Sequence, residues 1–283
     1  MSLNSVNTNM GAMIALQSLN RTNADLAATQ KRVSTGSRVA DATDDGAAYA
    51  VAQSVRSSVG ALGAANSQLG NVQGLLSTTH AGLNDVSNTM ASMRDVLVKL
   101  SDANVSGNQR TQYIAQYSSL LSNVRSFIQD ANYNGKTLIG DLGAATGYGR
   151  VATVRNETGA SYGITTFSGS ALYAAVNFQV TTQLGGASTV AALISATGTY
   201  ITEMNSVGSA LNTIGSSANY VSNQISYNND KIDALNTGLG ALVDADLAKE
   251  SAQLQALQIR QQLGTQALTL ANQAPQTLLS LFK

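Results

Sequence analysis

The side chains able to do chemistry are few and scattered. His80 is the single histidine, and the chain contains no cysteine and no tryptophan. Thiol catalysis, disulfides and Cys-ligated metals are therefore excluded. One imidazole cannot build a Ser-His-Asp triad or a His-Glu-x-x-His zinc motif within one chain. His80 also falls in a heptad series, which makes it a packed or rim residue rather than a ligand. Asp41, Asp44 and Asp45 suggest a calcium site, but their spacing lacks the loop and terminal bidentate glutamate of an EF-hand. An acidic helix start, favourable against the helix dipole, fits them better. Arg32 and Arg38 flank Ser34-Thr35-Gly36-Ser37, which superficially suggests a phosphate loop. The Gly-x-x-x-x-Gly-Lys spacing is absent, leaving a turn with interface charges. Asn156-Glu157-Thr158 matches an N-glycan sequon, a pattern frequent by chance. No catalytic residue, metal ligand set or cofactor can be nominated, and the expectation is a protein that is not an enzyme.

The bulk composition points the same way. Sixteen basic and sixteen acidic residues cancel over 283 positions, and charged residues make up only 11%. Such a chain has no electrostatic footprint for nucleic acid or an anionic membrane. Asparagine and glutamine total 44 against three glutamates, and Pro275 is the sole proline. Amide-rich, proline-poor chains suit long helices that meet neighbours through neutral hydrogen-bonding faces. No apolar window approaches the length of a membrane span. The start, Met1-Ser-Leu-Asn-Ser-Val-Asn-Thr, lacks the basic head and apolar core of a cleaved signal peptide, which argues against the general secretory route.

The elements follow from a seven-residue repeat. Leu62, Leu69, Leu76, Leu83, Met90 and Leu97 recur at that interval, extended backwards by Val55 and Ala48. Their partner positions begin with Ala52 and Val59 and turn polar at Asn66, Gln73, His80, Ser87 and Arg94. A 3.5-residue period sustained this long predicts coiled-coil or bundle packing. One helix from about Asp45 to Asn104 would run roughly 90 Å. A second series comprises Met204, Leu211, Ala218, Ile225, Ile232 and Leu239, flanked by Ile201, Val207, Ile214, Val221 and Leu235. Between them Ile114, Tyr117, Leu121, Val124, Ile128 and Ala131 mark a shorter amphipathic helix. Gly60, Gly63, Gly70, Gly74 and Gly82 interrupt the first series, either tolerated or allowing close approach of a neighbour. From Gly140 to about Val190 the pattern changes. Arg150–Arg155 and Tyr162–Phe167 around Asn156-Glu-Thr-Gly159 predict a hairpin, and Val176–Thr182 is a third candidate strand.

The termini carry the more unusual pattern. Leu16, Leu19, Leu26 and Val33 share one helical face, and Leu3, Val6, Met10 and Met13 begin a shorter stripe. The C-terminal segment has two stripes: Leu247, Leu254, Leu257, Leu268 and Ala271, and Ala252, Ala256, Ile259, Leu263, Ala267, Leu270 and Ala274. A helix apolar on two faces needs more than one partner. It is either buried centrally in one large domain, or paired with the other terminus and with neighbouring subunits; its terminal position favours the second. In a free subunit such ends are expected to fray. The fold expected is mainly α, a long antiparallel helical rod or coiled-coil bundle formed by both chain ends, with a small β-hairpin-containing insertion.

Particular stretches of these termini resemble bacterial flagellin. They are Leu26-Ala-Ala-Thr-Gln-Lys-Arg32-Val-Ser-Thr-Gly36-Ser-Arg38-Val-Ala-Asp41-Ala-Thr-Asp44-Asp45-Gly-Ala-Ala, Asp244-Ala-Asp246-Leu-Ala-Lys-Glu250, and Gln261 through Ala271-Asn272-Gln273-Ala-Pro275-Gln276. Asn132-Tyr-Asn134-Gly135-Lys-Thr-Leu138 resembles the family's Phe-Asn-Gly turn. The resemblance covers roughly residues 1–140 and 195–283. It implies a structural subunit of a helical filament used for swimming. Residues 1–44 with 240–283 would form the inner core, 45–139 with 191–239 the surrounding helical layer, and 140–190 a short outer variable region. The assembly interface it implies comprises Leu16, Leu19, Leu26, Arg32, Gly36, Arg38 and Asp41 at one end. At the other end it comprises Leu254, Leu257, Ile259, Leu263, Leu268, Leu270, Asn272 and Gln273.

The implied partner is the chain itself, with other flagellins, an export chaperone, and the filament cap and hook-associated proteins beside it. The implied location is the extracellular filament, reached through the flagellar secretion apparatus without cleavage. Met93-Arg94-Asp95-Val96 matches only partly the arginine-containing region that Toll-like receptors read in some flagellins, with Ser92 where a further arginine would align. Two alternatives stay in view. A hook–filament junction protein shares the terminal architecture, but usually lacks the full Ala-Asn-Gln-x-Pro-Gln run. A membrane-active helix would need more basic residues than Lys249 and Arg260 provide between Leu247 and Ala274.

Overall fold

The structure is a computed structural model that describes residues 8–140 and 151–281, with the backbone alone for 274–281. In chain order the described elements are α1 (Met10–Thr35), α2 (Gly46–Leu100), α3 (Gly107–Asp130), β1 (Val151–Val154), β2 (Ser161–Ile164), α4 (Gly169–Val176), α5 (Ala187–Leu193), α6 (Thr199–Val243) and α7 (Leu247–Leu281). Long helices from both chain ends pack together, and the middle holds one two-stranded antiparallel sheet, which is the expected fold class. Leu3, Val6 and Arg150 lie outside the described residues. Two compact units result: one holds the residues before Val59 and after Ile232, the other Val59–Ile232.

In the Val59–Ile232 unit the heptads become the core. Leu62, Leu69, Leu76, Leu83, Met90 and Leu97 are all fully buried, as the period predicts. Their buried partners stand one residue earlier than the sequence reading put them. Ala65, Thr79, Val86, Met93 and Leu100 are inside, whereas Gln73, His80 and Arg94 face solvent and Asn66 and Ser87 sit on the rim. The steps of a coiled-coil seam alternate three and four residues, and here the three comes first. His80, expected as a packed or rim residue, is exposed, and its Nδ1 meets the Asn84 amide at 3.0 Å. On α6 the deepest series is Tyr200, Val207, Ile214 and Val221, while Met204, Leu211, Ala218 and Ile225 are half-buried beside it. From α3, Tyr117, Leu121, Val124 and Ile128 fill the same core.

The next heptad position after Val221 is Asn228, and it is fully buried. Its Nδ2 donates to Asn66 Oδ1 at 2.8 Å and to the Arg155 carbonyl at 3.0 Å, and its Oδ1 accepts from Gln224 Nε2 at 2.9 Å. Asn66 Nδ2 in turn donates to Asn229 Oδ1 at 2.8 Å. One side chain thus ties α6 to α2 and to the end of β1. Lys231 pairs with Glu157 in the hairpin turn, which holds that carboxyl below the usual range.

The hairpin forms as predicted, with Val151 opposite Ile164 and Val154 opposite Ser161. The third candidate strand does not. Val176 ends α4, Phe178 is buried beside Tyr117 at a ring distance of 6.0 Å, and Val180 is exposed. That alternation mimics a strand, but among the described residues it pairs with no other strand. Instead the Gln183 and Leu184 amides donate back to the Gln179 carbonyl, closing a turn. The Tyr117 hydroxyl donates to the Val176 carbonyl at 2.6 Å and the Tyr200 hydroxyl to the Met90 carbonyl at 2.5 Å. Burial pushes both phenols up, so they remain neutral donors. Asn134 and Gly135 both have positive φ, 50° and 73°, in the tight turn closed by reciprocal Tyr133 and Lys136 backbone bonds. Asn-Gly is the pair best suited to that geometry.

The α2 glycines divide into two kinds. A Cβ on Gly82 would stand 2.7 Å from the Ala131 Cβ, and one on Gly74 would stand 2.8 Å from the Tyr133 ring. Gly60, Gly63 and Gly70 face open space. The same substitution should therefore change sign along one helix. Gly82→Ala is expected to lose about 1–3 kcal/mol by overpacking a contact that no flexible side chain can relieve. Gly70→Ala is expected to gain up to about 1 kcal/mol from helix propensity. Thermal melts of the two variants check this.

Candidate assembly interface

Two short linkers set the direction of the terminal helices. α1 stops at Gly36, whose φ of 69° is the left-handed cap that glycine adopts most readily, and whose N–H donates to the Arg32 carbonyl. Asp45 Oδ1 accepts from the Ala47 and Ala48 amides and so starts α2. Asp246 does the same for α7 through Ala248 and Lys249. The linkers are bonded to each other: Arg38 N and Val39 N donate to the Val243 carbonyl, and Ala245 N donates to the Gly36 carbonyl at 2.9 Å. Beside them Val39, Ala48, Ala52 and Val243 form a small core. The Arg38 guanidinium donates to the Leu242 carbonyl at 2.6 Å, in the last turn of α6.

The acidic cluster is occupied by its own neighbours. Lys31 Nζ lies 2.7 Å from Asp41 and 2.8 Å from Asp44. Asp41 Oδ1 also accepts from the Thr43 amide and hydroxyl, and Asp44 Oδ2 from the Ala40 and Asp41 amides. Hydrogen bonding to Lys31 leads the causes that hold Asp41 well below, and Asp44 below, their ordinary 3.8, and hydrogen bonding to the two carboxylates raises the lysine. A depressed carboxylate contributes its full stability above its ordinary value, and that contribution fades progressively as pH falls from there toward and through the folded value. The linker should therefore loosen in acid, below about pH 4. Amide exchange at Thr43 between pH 5 and 3 checks this, and Lys31→Ala should remove most of the pH response.

α1 and α7 then run antiparallel along each other. Four contacts mark the register: Arg32 with Glu250 at 3.4 Å, Asn23 Oδ1 accepting from Gln261 Nε2 at 2.8 Å, Leu19 against Gly264, and Asn9 Nδ2 donating to the Ala271 carbonyl at 2.6 Å. On α1 the inward positions are Ala12, Ala15, Leu19, Thr22, Leu26 and Thr29. On α7 they are Glu250, Leu254, Leu257, Gln261, Gly264, Leu268 and Ala271. Small residues at Ala12, Ala15 and Gly264 leave room for the backbones to approach.

The two α7 stripes therefore have different fates. Leu254, Leu257 and Leu268 turn toward α1, with Leu257 only 4% exposed. Ile259, Leu263 and Leu270, on the opposite face, are 58%, 57% and 67% exposed. Leu247, at the head of the first stripe, is exposed as well. Asn272 and Gln273 are exposed, and Leu16 sits at the open edge of α1. Within the expected interface set, then, Leu19, Leu26, Leu254, Leu257 and Leu268 meet inside one chain. Arg32, Gly36, Arg38 and Asp41 serve the linkers and the pairing of the two helices. Leu16, Ile259, Leu263, Leu270, Asn272 and Gln273 remain open. The sequence reading passed over Ile14, which is 63% exposed beside Met10 and Met13; the signal was three apolar residues in the first turns of α1 outside its inward stripe. Single exposed apolar residues are ordinary, whereas these form a stripe along one face of a terminal helix pair. Arg94 and Asp95 are exposed on α2.

Comparison with known proteins shows the family. The N-terminal helical region of bacterial flagellin matches residues 6–142, and the C-terminal helical region matches residues 194–282. The chain is 33% identical to flagellin FljM of Caulobacter vibrioides, with all of both chains aligned. It is 32% identical to a flagellin of Brucella melitensis, with 99% of each covered. A solved structure described as a flagellar hook-associated protein of Vibrio parahaemolyticus superposes with a TM-score of 0.59 at 15% identity, over 71% of this chain and 100% of that one, which supports the fold alone. The chain belongs to the bacterial flagellin family and is a structural subunit of the flagellar filament, not an enzyme.

Proposed function

We propose that the open face of the α1–α7 pair is the contact through which one copy of this chain joins the next. The observation that carries the reading is the stripe Ile259, Leu263 and Leu270, left facing solvent after the opposite face of α7 has been used on α1. A surface on one copy that fits a different surface on the next gives a non-closing contact, and repetition builds a helical polymer from one chain type. In that polymer residues 1–44 with 240–283 form the inner layer, 45–139 with 191–239 the layer around it, and 140–190 the outer surface. Export through the flagellar secretion apparatus without cleavage belongs to the same reading. So do an export chaperone that shields the stripe, the cap and hook-associated proteins at the filament ends, and mixed growth with other flagellins.

Seeded polymerisation of the purified chain, followed by sedimentation and negative-stain electron microscopy, tests it. Long filaments of uniform width are the expected result. A chain that stays soluble, or that only stops growth at existing ends, would remove the reading in favour of a junction protein.

A further inference from the structure

Pro275 leaves a gap in α7 that another part of the chain fills. It lies inside the helix, which continues to Leu281. A proline nitrogen carries no hydrogen, so the carbonyl four residues earlier, at Ala271, has lost its regular donor. That carbonyl accepts instead from Asn9 Nδ2, at 2.6 Å. The other end of the same amide is also in use: Asn9 Oδ1 accepts from the Ala12 amide at 3.1 Å, as the N-cap of α1. Serine, threonine or aspartate would cap α1 as well as asparagine does. Only asparagine adds an NH2 donor to a short capping oxygen, and here both groups are used at once, on two helices from opposite ends of the chain.

We infer that Asn9 is a positioning residue that locks the start of α1 onto the proline gap of α7. The bond is the last of the four that run along the pair, beyond Leu19 against Gly264, and it falls next to Leu270, which is 67% exposed. It fixes the phase of the final turns of α7 and thus the direction in which Leu270 points. The lock stands on the geometry of one chain. Its consequence for filament growth rests on the assembly reading above.

The test uses the full chain in four forms: parent, Asn9→Ser, Pro275→Ala and the double variant. Serine keeps a capping oxygen but has no amide donor, and alanine at 275 restores the N–H donor that the Ala271 carbonyl lacks. Hydrogen exchange of the unassembled chain is read over 10–16 and 268–275, and seeded growth is read separately. Asn9→Ser is expected to speed exchange over 268–275 about tenfold when residue 275 is proline, the size of one lost hydrogen bond. It should leave that segment unchanged when residue 275 is alanine. Seeded growth of Asn9→Ser should slow. Equal effects in both backgrounds, or none over 268–275, would overturn the lock. Unaltered growth beside the expected exchange pattern would overturn the positioning role. Because exchange is read on unassembled chain, failure of the parent to polymerise is a separate result.

Discussion

A chain carrying Leu263→Asp is expected to fold like the parent and to be absent from the filament pellet at concentrations where the parent polymerises. In the single subunit Leu263 is mostly in water, so a carboxylate there disturbs no buried contact. In a covered interface the substitution loses about 1.5–3 kcal/mol of leucine burial and adds several kcal/mol for an unpaired buried charge. At about 1.4 kcal/mol per tenfold, each contact weakens by roughly a thousandfold or more. Leu257→Asp is the informative companion. That leucine faces α1 and is almost wholly buried, so the damage should appear in the free subunit as lost protection over α1 and α7. Sedimentation after seeding and hydrogen exchange of the unassembled chain separate the two outcomes. Normal filaments from Leu263→Asp would show that the open stripe is not the contact.

Asn228→Leu should be the most damaging polar substitution in the Val59–Ile232 unit. The side chain is fully buried and makes three hydrogen bonds, to Asn66, to the Arg155 carbonyl and to Gln224. Leucine has nearly the same bulk and no donor, so it leaves the Asn66 and Arg155 oxygens without their partner. At about 1–3 kcal/mol for each group left unsatisfied, the loss is roughly 3 kcal/mol. For a unit of this size that is a fall of about 6–12 °C in thermal midpoint. A calorimetric melt reads it directly. Exchange should rise first around Arg155 and Glu157, where the hairpin is held to α6. Asn66→Ala, on the rim, should cost less, because water can reach the vacated position. A leucine variant as stable as the parent would mean that the amide network contributes no net stability, as some buried polar groups do not.

Asn228 also shows how far a linear pattern reaches. Extending Val207, Ile214 and Val221 by seven arrives at it, so its depth was legible in the spacing. Its role was not, because the partners lie on α2 and at the end of β1, far away in sequence. The long helices and the hairpin could be read from residue types and intervals, since each depends on neighbours a few positions apart. Val176–Thr182 has the alternation of a strand and still forms a turn, because a strand needs a partner and alternation does not supply one. The clearest division is on α7. The sequence by itself determined that the helix has two apolar stripes, for periodicity is a local property. Only the tertiary structure decided that Leu254, Leu257 and Leu268 turn to α1 while Ile259, Leu263 and Leu270 stay open. That choice depends on where the bonded linkers at Gly36 and Ala245 aim the two helices, and on the close approach that Ala12, Ala15 and Gly264 allow.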